Sequence, residues 1–278
     1  VLALEAGMIE TGLASLRRDE LTDRQWMLTT VSGPMRWREM QPLFAYLKSR
    51  PKLRVFGIDP QFSATEVLDY AHDVVAKDHP KLAEQLRQRL GEPYEYTGLI
   101  STDPETAKRA EASYLDWLKK TGQLLDDIKP SKENAAGLQI LRKGFTGLSD
   151  FWQGASQQTM QQRFEARDRG MSDHLLRQIG SEKVIVWAHN GHIGRGIGYK
   201  ILGDHVREKW PRDVYSLGLF GKSGQWYQHW TGKVMPWEAS DQGLEALLQP
   251  GHEASFRSTS ALKDPTVAYE PENGGQVS

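Results

Sequence analysis

Four short apolar runs divide the chain, and each has the pattern of a strand buried in a parallel sheet. They occupy residues 1–6, 53–59, 183–189 and 214–220. Such nearly continuous apolar runs are typical of strands that are covered on both faces, and they are too short for helices. The last run is also expected to form a hairpin with Trp226 and Tyr227.

Between the second and third runs, the spacing of the apolar residues changes to the helical period. Residues three or four positions apart form one long apolar stripe, which consists of Leu138, Leu141, Phe145, Leu148 and Trp152. A second stripe continues the period through Met160, Phe164, Met171 and Leu175. Asp103 before Pro104 predicts a helix start, and Gly180 is expected to end the helix of the second stripe.

The alternation of strands and helices predicts an α/β fold with a central, largely parallel sheet and flanking helices. Residues from about 62 to 180 carry helical signals and no clear strand, so we interpret them as a helical excursion from the sheet. The α/β domain is expected to span residues 1–250. Residues 251–278 are rich in Ser, Pro and Gly, which predicts an irregular C-terminal tail.

The composition of the chain limits the kinds of function that the protein can have. The 278 residues carry 35 Lys and Arg against 36 Asp and Glu, a net charge of −1, so no charge bias favours nucleic acid or an anionic membrane. No apolar run approaches the roughly 20 residues that span a bilayer. The absence of cysteine excludes disulfides, thiolate metal sites and a cysteine nucleophile within this sequence.

The sequence begins inside a predicted strand, at Val1, without an initiator methionine. Proteins rarely begin in the middle of a core strand. We therefore expect further sequence upstream, where any targeting segment would lie.

Polar residues stand where three of the predicted strands end. The first strand ends in Glu5, the second in Asp59 and the third in His189, and His192 follows after Gly191. The carboxyl ends of parallel strands meet at one edge of a sheet, which is where α/β proteins build their sites. Two carboxylates and two imidazoles gathered there would suit acid–base chemistry.

Each of these residues also has a plainer interpretation. A single carboxylate after a strand is often only a helix cap, and a single histidine there is often structural. Arg167 lies at the edge of the second apolar stripe, where its guanidinium could pair with Glu5 or Asp59 or hold an anionic intermediate. Alternatively, Arg167 and its charged neighbours form solvated surface pairs that contribute little.

Several of these residues belong to motifs that resemble the erythromycin esterase family. The segment Val-Ile-Val-Trp-Ala-His-Asn-Gly-His at residues 184–192 is similar to the family's strand and loop. Residues 3–6, with Glu5, resemble its early strand, and residues 55–59 resemble its Gly-x-Asp strand. Residues 167–171 resemble its Arg-Asp-x-x-Met helix motif. The match runs from Val1 to about Phe220, with the motifs in the family's order.

The resemblance implies a metal-independent hydrolase that opens macrolide esters with water, on an α/β sheet with a helical excursion. It implies no metal or cofactor, and the expected partner is a small-molecule ester. In the family, the histidine of a motif Gly-Glu-x-x-His-Gly, just upstream of the early strand, is taken as the general base. That motif does not occur in this sequence.

The resemblance also assigns roles to the candidate residues. His189 and His192 would orient the water or stabilise the developing oxyanion, and Glu5 would orient or charge-balance a histidine. On the substrate-binding side, Arg167 would hold a carboxylate or bind substrate, Asp59 would position the loop or pair with Arg167, and Asn190 would contact the substrate.

Two other interpretations remain open at this point. Glu5, Asp59, His189 and His192 are also a legitimate ligand set for Zn or Mn, which would make the protein a metal-dependent hydrolase. A family member without the upstream histidine could instead bind a ligand without reacting with it.

Overall fold

The computed structural model describes residues 1–31, 40–60, 68–91, 103–154, 158–195, 198–218, 223–228 and 233–238. The chain divides into two compact units, residues 1–216 and residues 217–278. In the described part, the first unit has three strands: β1 (Leu2–Gly7), β2 (Val55–Asp59) and β3 (Ile185–Trp187). Its described helices are α1 (Met8–Leu16), α2 (Asp23–Thr30), α3 (Gln41–Lys48), α4 (Leu68–Ala76), α5 (Pro80–Gly91), α6 (Pro104–Asp127), α7 (Ala135–Trp152), α8 (Met160–Ile179), α9 (Asn190–Ile193) and α10 (Leu202–Lys209).

The three strands form one parallel sheet in the order β2-β1-β3, which confirms the predicted α/β class. β1 is central, and the alternation of its side chains explains its apolar run. Leu2 and Leu4 pack into a core cluster with residues of α1, α2 and α3, whereas Ala3 packs into a cluster with residues of α8 and α10. Because both faces of β1 are covered, polar residues are excluded until the strand reaches the sheet edge.

The third strand is shorter than the predicted run of residues 183–189. Only residues 185–187 pair with β1, and β3 lies at an edge of the described sheet. Ile185 and Trp187 are exposed, so the continuous apolar pattern does not correspond to burial on both faces.

Between β2 and β3, the described residues form the five helices α4 to α8 and no strand. All five members of the first predicted stripe, on α7, are buried in one core with residues of α1, α4, α5 and α6. The predicted helix start is also confirmed, since Asp103 Oδ2 accepts a hydrogen bond from the backbone N–H of Thr106 at 3.0 Å.

Helix α8 brings the chain back to the sheet. Met171 and Leu175 pack with Ala3 and Ile58 of the sheet, and Gly180 ends the helix with a φ of +53°, as predicted. Phe164, which we expected on the same buried stripe, is 42% exposed. Burial along this face of α8 therefore begins at Asp168, close to the carboxyl edge of the sheet.

The prediction of a fourth strand is wrong for the residues of this segment that the structure describes. Residues 214–218 carry no regular structure, while residues 219 and 220 lie outside the described part of the chain. Ser216 is instead bound by its side chain, because its Oγ donates to the carbonyl of Ile193 at 2.9 Å and accepts from Arg207 at 2.5 Å. These bonds hold the segment to the loop and helix after β3 rather than to a sheet edge.

In the second unit, β4 (Ser223–Gln228) and β5 (Lys233–Glu238) form an antiparallel hairpin in which Trp226 pairs with Met235. The predicted hairpin partner of Trp226 was residues 214–220, so this pairing is also corrected. The predicted tail, residues 251–278, lies outside the described residues. In the part of the chain that the structure covers, no helix is long and apolar enough to cross a membrane.

Gly57 should be essential for the contact between β1 and β2. A Cβ at this position would overlap the carbonyl oxygens of Ala6 and Gly7, and backbone oxygens cannot move aside as a flexible side chain can. We expect Gly57→Ala to lower the free energy of unfolding by about 2–3 kcal/mol in urea denaturation.

The matched control for this substitution is Gly122→Ala, in the C-terminal half of α6. No described heavy atom lies within 4 Å of an added Cβ there. The control should leave stability unchanged or raise it by about 0.5–1 kcal/mol, because alanine favours the helix. Equal losses in the two variants would contradict the close strand approach.

Candidate active site

The carboxyl ends of the three parallel strands bring Glu5, Asp59 and the loop after β3 to one edge of the sheet. A β-bulge places Glu5 there. Leu4 pairs with Gly57 and Gly7 pairs with Asp59, so β1 has one residue more than β2 between these two pairs. Such bulges bend a strand and redirect a side chain.

Arg167, on α8, joins the first two strands through their carboxylates. Its Nε lies 3.1 Å from Asp59 Oδ1 and its Nη2 lies 2.5 Å from Asp59 Oδ2, which is a two-point pairing. The same Nη2 donates to Glu5 Oε1 at 2.9 Å. The side chains of Arg167, Glu5 and Asp59 are only 14%, 12% and 8% exposed, so this is not a solvated surface pair. Both expected pairings of Arg167 are thus present.

His192, on α9, lies between two carboxylates. Its Nδ1 is 2.8 Å from Asp168 Oδ1 and its Nε2 is 3.2 Å from Glu5 Oε1. Although burial alone would lower the pKa of His192, the hydrogen bonds with Asp168 and Glu5 and the charges of these carboxylates raise it from 6.5 to about 9. His192 is therefore an imidazolium at neutral pH, with a proton on each nitrogen.

This protonation state decides how His192 relates to Arg167. Nη1 of Arg167 is 3.3 Å from His192 Nε2. A guanidinium can only donate hydrogen bonds, and so can an imidazolium. The two cations consequently do not bond to each other but share Glu5 Oε1 as an acceptor.

Asp168 was missed as a site residue by the sequence analysis. It is 1% exposed, and its Oδ1 accepts a second hydrogen bond, at 2.8 Å, from the backbone N–H of Leu202 in α10. Asp168 therefore ties α8 to both α9 and α10. The sequence does contain a pattern that could have identified Asp168, because it lies three residues before Met171 and seven before Leu175 and so falls on the apolar face of the helix. A carboxylate on such a face requires a buried partner.

Glu5 also fixes the loop that carries the histidines, since its Oε2 accepts the backbone N–H of His189 at 2.7 Å. Burial by itself would raise the pKa of Glu5. The hydrogen bonds with His192 and the His189 backbone, together with the charges of His192 and Arg167, lower this pKa from 4.5 to about 2. Glu5 therefore stays ionised through the acidic range.

The sequence predicted that the His189 side chain would join the polar residues at the sheet edge, but the structure places this side chain differently. Its backbone contacts Glu5, but its side chain is exposed and its Nδ1 accepts the N–H of Gly191 at 3.1 Å, which caps α9. In the neutral ring, the proton consequently stands on Nε2. The ring centroids of His189 and His192 are 6.3 Å apart. Asn190 is the first residue of α9 and is half-buried.

We call Glu5, Asp59, Arg167, Asp168 and His192 the ion cluster. Its three carboxylates and two cations leave one net negative charge (2 − 3 = −1). Among the residues that the structure describes, no group of three or more His, Asp or Glu side chains is arranged to hold a metal ion. Both oxygens of Asp59 are bonded to Arg167, and both ring nitrogens of His192 face carboxylates. The atoms that could bind a metal ion are therefore engaged with other side chains of the cluster.

The two shifted groups affect stability in opposite pH ranges. The folded pKa of His192 lies above 6.5, so its contribution is fully present below pH 6.5 and is lost as the pH rises through about 9. The folded pKa of Glu5 lies below 4.5, so its contribution is present above pH 4.5 and is lost as the pH falls towards 2. The ion cluster should stabilise the fold most between these ranges.

Comparison with known proteins adds a family and several relatives. The sequence model of the erythromycin esterase family matches residues 16–263. The putative hydrolase YbfO of Bacillus subtilis (strain 168) is 23% identical, over 98% of this chain and 70% of that protein. Two crystal structures share the fold. A Bacillus cereus protein is 19% identical with a TM-score of 0.53, over 92% of this chain and 64% of that one. A succinoglycan biosynthesis protein is 16% identical with a TM-score of 0.54, over 88% and 64%. The chain thus spans about two thirds of the length of these proteins.

The charge of His192 can be measured directly by following its Cε1–H resonance through a pH titration. We expect a pKa of about 9 in the wild-type protein. Asp168→Asn removes the carboxylate opposite Nδ1 and should lower this pKa by about one pH unit or more. Asp173→Asn, an exposed position on the same helix, should leave it unchanged. A wild-type pKa near 6.5 would contradict the double pairing.

Proposed function

Because the chain belongs to the erythromycin esterase family, we propose that it hydrolyses a carboxylic ester with an activated water molecule at the carboxyl edge of its sheet. The family name and the name of the B. subtilis relative are both those of hydrolases. We also propose that the bond is an ester and that the water is activated without a metal ion.

The observation that carries the proposal is the pair of cations at the sheet edge. Arg167 Nη1 and His192 Nε2 lie 3.3 Å apart, and with the pKa of His192 raised to about 9 both groups are charged and can only donate. Hydrolysis of an ester passes through a tetrahedral intermediate whose former carbonyl oxygen becomes negatively charged. Donors that are already fixed and charged before the reaction stabilise such an oxyanion without reorganisation. Arg167 Nη1 and His192 Nε2 would therefore bind this oxygen beside Glu5 Oε1, which stays in place.

The carboxylates of the ion cluster would hold these two donors in place. Asp59 fixes the guanidinium by its two-point pairing, and Asp168 fixes the Nδ1 side of His192 so that Nε2 points towards Glu5. Glu5 balances both cations and holds the backbone of His189. Replacing any one of them would leave a partly buried cation with one carboxylate partner fewer.

The exposed ring of His189 would act beside this pair. Because Nδ1 accepts from Gly191, its neutral ring offers Nε2–H as a donor, which suits orientation of the water or of the substrate. His192, already protonated, cannot accept a proton at neutral pH. Neither histidine is therefore assigned as the base in this geometry, in keeping with the family resemblance, which gives that role to the histidine of a motif that this sequence does not contain. Asn190 stays a predicted substrate contact.

The test is incubation with erythromycin and a panel of simple carboxylic esters in excess chelator, with mass spectrometry to detect the gain of one water. We expect turnover in the chelator. His192→Asn should lower kcat at least about 100-fold, because it removes a charged oxyanion donor. His72→Asn, on α4 in the helical excursion, is the control and should not change kcat.

Circular dichroism and urea denaturation of each variant would separate a lost donor from a lost fold. Turnover that requires added Zn or Mn would support the metal-dependent alternative instead. No turnover of any ester by the folded protein would overturn the proposed reaction and favour a member that binds without reacting.

A further inference from the structure

A surface cavity of about 550 Å³ lies beside the loop that follows His192. More of its lining surface is apolar than polar, but most of its lining residues carry polar or charged groups. The side chains that matter here are Arg195, Tyr199, Lys200, Asp204, Arg207 and Glu208. Arg195 comes three residues after His192, and Arg207 is on α10, so the cavity shares its wall with the segment that carries the ion cluster's imidazolium.

The cations in this lining are unequally neutralised. Lys200 forms an ion pair with Glu208 at 2.5 Å. Within the described part of the chain, Arg207 has no carboxylate among its hydrogen-bond acceptors, which are the carbonyls of Gly194 at 2.6 Å and Ile193 at 3.4 Å and the Oγ of Ser216 at 2.5 Å. Exposed Arg195 forms no hydrogen bond or ion pair with any residue that the structure describes.

Arg195 and Arg207 line the same cavity. Burial and then the charge of Arg195 hold the pKa of Arg207 below its usual value, and Asp204 opposes this only in part. The lining has three cations and two anions, a net charge of +1 (3 − 2 = +1). Two neighbouring guanidinium groups repel each other unless an anion lies between them, and their planar donors match a carboxylate at two points.

We propose that this cavity binds a carboxylate group of the substrate, with Arg195 and Arg207 as its ligands. The net charge of +1 fits a single negative charge better than a doubly charged phosphate. Arg207 is fixed by the carbonyls of residues 193 and 194, so the bound carboxylate would lie just beyond the His192 loop. That the carboxylate belongs to the molecule carrying the scissile ester rests on the proposed function, whereas binding of the carboxylate does not.

The experiment is a titration of the whole chain, followed by NMR at the arginine Nε–H resonances, with succinamate and with succinamide. These two probes have the same skeleton and differ by one negative charge, and neither is an ester. Succinamate should bind and shift the Arg207 resonance, and succinamide should not. Arg195→Gln should weaken succinamate binding about tenfold, the typical effect of a lost charged hydrogen bond.

Arg212→Gln is the matched control, because Arg212 is exposed near α10 but does not line the cavity. It should leave the affinity for succinamate unchanged. Equal binding of the two probes, or equal affinity of Arg195→Gln and wild type, would overturn the carboxylate site. Tighter binding of inorganic phosphate than of succinamate would overturn the choice of a monoanion.

Hydrolysis measured on monomethyl succinate and dimethyl succinate separates this site from the proposed function. Preference for the monoanionic ester that disappears in Arg195→Gln would support a substrate carboxylate. Binding of succinamate without hydrolysis of either ester would contradict the proposed function and support the carboxylate site. Hydrolysis of both esters without any succinamate binding would support the proposed function and contradict the carboxylate site.

Discussion

The guanidinium of Arg167 is the interaction on which the sheet edge depends. It bonds to Asp59 at the end of β2 and to Glu5 at the end of β1, and all three side chains are largely withdrawn from water. Two carboxylates this close would repel each other and lose their hydration without a cation between them. With Arg167 in place, Glu5 remains charged and is able to pair with His192 as well.

The helical excursion is what brings this cation to the sheet. Helices α4 to α7 build their own core with α1, and α8 then returns along the sheet with Met171 and Leu175 packed beside Ile58. The apolar half of α8 fixes the height of the helix above the strands. Arg167 and Asp168, one turn earlier, are thereby held at the carboxyl edge. Residues separated by more than a hundred positions in sequence, such as Asp59 and Arg167, meet because of this packing.

Much of this arrangement could be predicted from the sequence, and the exceptions have physical reasons. Glu5, Asp59 and His192 were found because parallel strands end at one edge, and Arg167 because it stands beside an apolar stripe. Asp168 was missed because a charged residue inside a charged run resembles a surface residue until its helical position is compared with Met171 and Leu175. The orientation of His189 depends on a local cap with Gly191, which spacing does not encode. The fourth strand failed because the side-chain bonds of Ser216 hold that segment elsewhere.

Arg167 and Asp59 are expected to stabilise the fold together, as one buried pair, rather than as independent polar residues. A double-mutant cycle of unfolding free energies measures this coupling, with Arg167→Gln, Asp59→Asn and the double variant compared by urea denaturation at pH 6. We predict a coupling energy of about 2 kcal/mol, since Arg167→Gln removes the cation that bonds both oxygens of Asp59 and Asp59→Asn removes the two-point partner of Arg167, which then keeps only Glu5. Additive effects within about 0.5 kcal/mol would contradict the account.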